Sequence, residues 1–126
     1  MNNEVEAKGF MNLALDDLST AQILLDAGKY RAVVTHSYFA MFYAAKALLI
    51  TRDFVSKKHG SILKQFSKEF VNGDNFDYDI YLNYSNAINK RNKSSYNFNI
   101  NFDKYEAQNC LFDAEEFVVE AKKFLK

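Results

Sequence analysis

Proline is absent from the 126 residues, and glycine occurs only four times. So little punctuation excludes a β protein of many turns and favours long periodic segments joined by short loops. Tryptophan is absent too, and the aromatic content of 16% is all Phe and Tyr. A lone cysteine, Cys110, excludes an internal disulfide and a cysteine-rich metal site. A single thiol without a disulfide framework fits a reducing cytoplasm. Net charge is absent: 16 Lys plus Arg balance 16 Asp plus Glu, so global charge points to no partner. The opening MNNEVEAKGF is polar and acidic and does not read as a secretory leader. What is present in quantity is apolar residues, 48%, enough for one core in one domain across 1–126.

The stretch from Lys29 to Ile50 organises the rest. Val33, Ser37, Ala40, Ala44 and Ala47 form a stripe of small side chains at helical spacing. Val34, Tyr38, Met41, Phe42, Ala45 and Leu49 form a bulkier stripe beside it. A helix apolar on nearly all sides is a buried helix. A membrane span is disfavoured, because Arg31 and Lys46 bracket a run that still holds Thr35, His36 and Ser37. Before it, Phe10, Leu13, Ala14, Leu18, Ala21, Leu24 and Leu25 predict a helix over about Glu4 to Ala27, stopped by Gly28. A third helix is predicted from about Ser56 to Val71, with His59, Ile62, Leu63, Phe66 and Phe70 on one face. A fourth begins near Asp77 and carries Ile80, Tyr84, Ala87, Ile88 and Arg91. Asn97 to Asn101 breaks the period. Asp103 with Glu106 is a capping-box start, led by Phe102 as a candidate staple residue. The last helix carries Ala107, Cys110, Leu111, Ala114, Phe117, Val118, Ala121, Phe124 and Leu125. The reading is a five-helix, all-α single domain.

Arg91 is the most informative polar residue, because it falls on the core-side stripe of helix four. An arginine there is always charged and must find partners. One reading has it snorkel to the surface or pair with a carboxylate. The other makes it a phosphate-binding or transition-state-stabilising group. Lys90, Asn92 and Lys93 flank it, with Ser95 and Tyr96 a turn further on. Lys57, Lys58 and His59 open helix three within a lysine-rich run, a second basic patch that could hold phosphates or form a solvated face. His59 is a candidate general acid or base. His36 lies inside the central helix, where burial and a structural role are expected. Two distant histidines with no Cys or carboxylate at ligand spacing make a weak case for a metal site, and no phosphate-cradling glycine loop or nucleophile elbow occurs. The acidic residues Asp113, Glu115, Glu116 and Glu120 read as a solvated face.

The run Tyr30-Arg31-Ala32 through His36-Ser37-Tyr38-Phe39-Ala40-Met41-Phe42 to Ala44-Ala45-Lys46-Ala47-Leu48-Leu49 resembles the HEPN superfamily, in its small stand-alone branch. Lys57-Lys58-His59, Arg91 through Tyr96, and Ala114-Glu115-Glu116-Phe117 extend the resemblance over nearly the whole chain. It implies an all-α, four- to five-helix up-and-down bundle that dimerises, with a polar groove at the dimer face. It implies a metal-independent endoribonuclease, acting through an Arg and a His four to six residues apart, and needing no cofactor. It further implies the toxin half of a toxin–antitoxin pair, whose partner is a minimal nucleotidyltransferase that in some pairs adenylylates a Tyr after the motif. Arg91 matches the Arg and Tyr96 the Tyr, but Arg91 to Phe98 holds no His, so the usual acid–base group is missing. The expected site is therefore Arg91, Tyr96 and His59, with Lys57, Lys58, Lys90, Asn92 and Lys93 binding RNA or a nucleotide. The alternative is a dimeric module that binds nucleotide or RNA without cleavage, or docks the nucleotidyltransferase.

Overall fold

The computed structural model describes residues 3–55, 58–97 and 99–125. Among them the chain is all-α, with no strand. Helix α1 spans Asn3–Asp26, α2 Tyr30–Ile50, α3 His59–Phe66, α4 Tyr78–Tyr96 and α5 Lys104–Lys122. A wider π-helical stretch, Ser67–Asn72, continues α3. The third helix is thus shorter and less regular than the sequence predicts, and Ser56 and Lys57 lie outside the described residues.

Each boundary has a local cause. Gly28 takes φ 76°, and the amides of Gly28 and Lys29 donate to Leu25 O and Leu24 O at 3.1 and 2.8 Å. That is a Schellman closure of α1, and it explains a glycine there. Asp53, at φ 62°, closes α2 in the same way, with its own amide on Ile50 O and that of Phe54 on Leu49 O. The Asp77 side chain caps α4 by accepting from Ile80 N at 3.0 Å. Asp103 and Glu106 form the reciprocal capping box at the start of α5, as the sequence predicts.

Helix α2 is central and packs against α1, α3, α4 and α5. Both stripes read from its sequence are buried, with Val33, Ala40, Ala44 and Ala47 fully enclosed. It is long and apolar enough to cross a membrane, yet most of it is covered by the other helices. Aromatic side chains fill the space between α3, α4 and α5. Phe66 meets Phe76 edge-on at 4.9 Å, Phe76 lies 5.1 Å from Phe117, and Tyr84 lies 5.5 Å from Phe117. Each such pair adds ~0.5–1.5 kcal/mol beyond the area it buries. The inward face of α1 is the one the sequence predicts except at Leu13, which is 46% exposed, and it extends to Ala7 and Met11, which are buried.

Arg31, in the first turn of α2, ties down the far end of α4. Its guanidinium donates to Ser94 O and to Ile100 O, and lies 3.4 Å from Ser94 Oγ. The last turn of α4 and the segment after it are therefore held against α2. That clamp sits one turn beyond Arg91.

Candidate functional site

One stripe of α2 escapes full burial. Thr35, His36, Phe39, Tyr43 and Lys46 are all half-buried. They follow i, i+3/i+4 spacing, so they line a single strip about 15 Å long between α1 and α4. Phe10 of α1 stacks on Tyr43 at 6.3 Å, and Lys46 Nζ lies 4.7 Å from the Phe10 ring.

Arg91 reaches this strip from α4. Its guanidinium carbon lies 5.4 Å from the Tyr38 ring centre and 5.6 Å from that of Phe39. Its Nε is buried and has no hydrogen-bond partner among the described residues. No carboxylate pairs with it there. A charged donor held off water without an acceptor is costly to the fold. Burial pushes the Tyr38 hydroxyl up to about 12, and the Arg91 charge pulls against that rise. The arginine thus lies on aromatic rings and still has an unmet donor, in a half-open groove.

The other expected site residues scatter. Lys90 is adjacent in sequence but about 100° around the helix. It turns to α5, with Nζ 3.8 Å from Cys110 Sγ. Its charge opposes the burial that raises the Cys110 thiol and the Asp113 carboxyl. Asn92 and Lys93 are exposed near the end of α4, and Tyr96 in its last turn is 83% exposed. Lys58 is exposed at the start of α3, Lys57 lies outside the described residues, and the side chains of His59 and Ser95 are likewise not described. The backbone of α3 nevertheless has a clear position. Phe66 stacks on Tyr81 at 6.3 Å, roughly three turns of α4 before Arg91. Among the described residues no cluster of three His, Cys, Asp or Glu side chains is placed to hold a metal ion.

His36 departs from the expectation of burial. Its side chain is 36% exposed, and Nδ1 lies 2.9 Å from Oδ1 of Asp17 on α1, a carboxylate 17% exposed. The sequence signal was available: His36, Phe39, Tyr43 and Lys46 share a face whose two ends are polar, which marks a wet stripe on an otherwise buried helix.

With this geometry in hand, the comparisons define the class. The HEPN domain profile matches residues 7–124, so the chain belongs to the HEPN family. A Methanocaldococcus jannaschii protein named "Putative toxin MJ0605" is 35% identical over 96% of this chain and 90% of its own length. A second from the same organism, "Putative toxin MJ0142", is 32% identical over 95% of this chain and 82% of its own. A "UPF0332 protein" of Thermotoga maritima is 25% identical over 90% of this chain and 86% of its own.

Proposed function

We propose that this chain is the HEPN component of a toxin–antitoxin pair and cleaves RNA in the cytoplasm without a metal ion. Two relatives whose names contain the word toxin, each aligned over nearly the whole chain, support the first half of that reading. The observation that carries the second half is Arg91. Among the described residues no carboxylate pairs with its guanidinium, and its two Nη groups, unlike the buried Nε, are not enclosed, so they are free to meet an anion. A phosphodiester supplies that anion, and the charge that builds up on a phosphorane would bind more tightly than the ground state. Lys46, on the same strip, adds positive charge along the path of a polynucleotide backbone. The test is cleavage of RNA in EDTA by the wild type and by Arg91→Ala. Loss of cleavage in the variant supports the reading, and equal cleavage by both removes Arg91 from it.

A second reading is a dimeric module that binds RNA or nucleotide, or docks a nucleotidyltransferase, without cleaving. The absence of a His between Arg91 and Tyr96 favours it. It is distinguished by salt-sensitive binding with no turnover. The exposed hydroxyl of Tyr96 is where a partner nucleotidyltransferase would place an adenylyl group. An intact mass left unmodified by an active partner counts against that step. A solution mass of 14.6 kDa, that of one chain, counts against the homodimer.

A further inference from the structure

We infer that His36, oriented by Asp17, is the acid–base group of the cleavage site, in place of the histidine missing after Arg91. The inference rests on the ribonuclease reading above and adds to it a residue outside the Arg91–Tyr96 segment. Three observations carry it. His36 is half-exposed on the one stripe of α2 that opens to solvent. Phe39, one turn along that stripe, carries the Arg91 guanidinium at 5.6 Å from its ring centre. Residues three apart on a helix are neighbours, about 5–6 Å between Cβ atoms, so His36, met by Asp17 from α1, and Arg91, reaching in from α4, lie on either side of Phe39.

The third observation is the bond to Asp17. An ionised carboxylate only accepts, so in the neutral imidazole the 2.9 Å contact puts the proton on Nδ1. The lone pair is then on Nε2, which makes no hydrogen bond among the described residues. A carboxylate that fixes tautomer and ring orientation is what a general base requires.

The step balances without any other reagent than water. Nε2 takes the proton of the attacking 2′-hydroxyl, and the 2′-oxygen bonds to phosphorus. Arg91 holds the non-bridging oxygens as their charge grows. The P–O5′ bond breaks with its electron pair on O5′, which takes a proton from water. The imidazolium returns its proton to the hydroxide so formed. The products are a 2′,3′-cyclic phosphate and a 5′-hydroxyl. Asp17 touches only the imidazole and is a positioning residue.

The experiment follows cleavage of a mixed-sequence single-stranded RNA in EDTA by the full chain. The variants are Arg91→Ala, His36→Ala, His36→Gln and Asp17→Asn, each with its melting temperature. The expected result is a ~10²–10⁴-fold fall in kcat for both His36 variants with KM little changed. Added imidazole should restore part of the loss in His36→Ala and none in Arg91→Ala. Asp17→Asn should lower kcat by a smaller factor. If Arg91→Ala abolishes cleavage while the His36 variants match the wild type, the assignment of His36 is overturned and the ribonuclease reading stands. A His36→Ala loss that imidazole does not relieve, accompanied by a lowered melting temperature, makes the pair a helix–helix staple and overturns the inference as well. If wild type and Arg91→Ala both fail to cleave, or cleave equally, the ribonuclease reading fails and takes this inference with it.

Discussion

Replacing Arg91 by methionine separates a residue that holds the fold together from one that the fold tolerates for another purpose. The buried Nε has no acceptor among the described residues, and an unmet donor costs ~1–3 kcal/mol. Against that cost stand the contacts of the guanidinium with the Tyr38 and Phe39 rings, worth about 0.5–1 kcal/mol each. Methionine keeps an unbranched stem on the same rings and removes the unmet donor. The difference lies between about 1 kcal/mol against the variant and about 2 kcal/mol in its favour. For a chain of this size 1 kcal/mol moves the melting temperature by about 3–6 °C. Thermal unfolding followed by circular dichroism should therefore show Arg91→Met melting no more than about 6 °C below the wild type and as much as about 12 °C above it. The same melts with inorganic phosphate give the counterpart: an anion held by Arg91 stabilises the wild type by about 1.4 kcal/mol at about ten times its Kd, and not the variant. A variant destabilised by more than about 2 kcal/mol would refute the reasoning, because Arg91 would then be a structural residue whose partners satisfy it.

Three further outcomes follow from particular contacts. Asp103→Ala breaks the capping box of α5 and should cost about 1 kcal/mol, read from urea unfolding midpoints. Tyr84→Phe removes a buried hydroxyl with no partner among the described residues and should raise stability by up to about 1 kcal/mol; a loss of that size would mean the hydroxyl is satisfied. Burial raises the Asp113 carboxyl, so its ionised form is disfavoured in the folded state. The stability tied to protonated Asp113 is present at low pH and is lost as pH rises through the raised value. Asp113→Asn should then melt above the wild type at neutral pH, with the gap closing on acidification.

The helices were legible because their causes are local. The small stripe of α2, Gly28, and the Asp103–Glu106 pair each specify a conformation through their own chain neighbours, and each is found in place. The π-helical stretch Ser67–Asn72 was not legible. Phe66, Phe70 and Phe76 meet one aromatic cluster that forms only when α3, α4 and α5 pack together. Arg91 was legible as a charged residue on an apolar stripe, but its orientation over Tyr38 and Phe39 is a tertiary fact. Sequence adjacency misled for Lys90, since one residue along a helix is about 100° around it, and Lys90 faces α5. The wet stripe that holds His36 was legible, but its pairing with Asp17 was not, since Asp17 lies on another helix and nothing in the order of residues joins the two.

The most direct measurement of the central claim is the rate at which purified protein cleaves single-stranded RNA in EDTA, compared with that of Arg91→Ala. The account predicts cleavage by the wild type and its loss in a variant that stays folded. RNA left intact by the wild type, or cut equally by both, would contradict it.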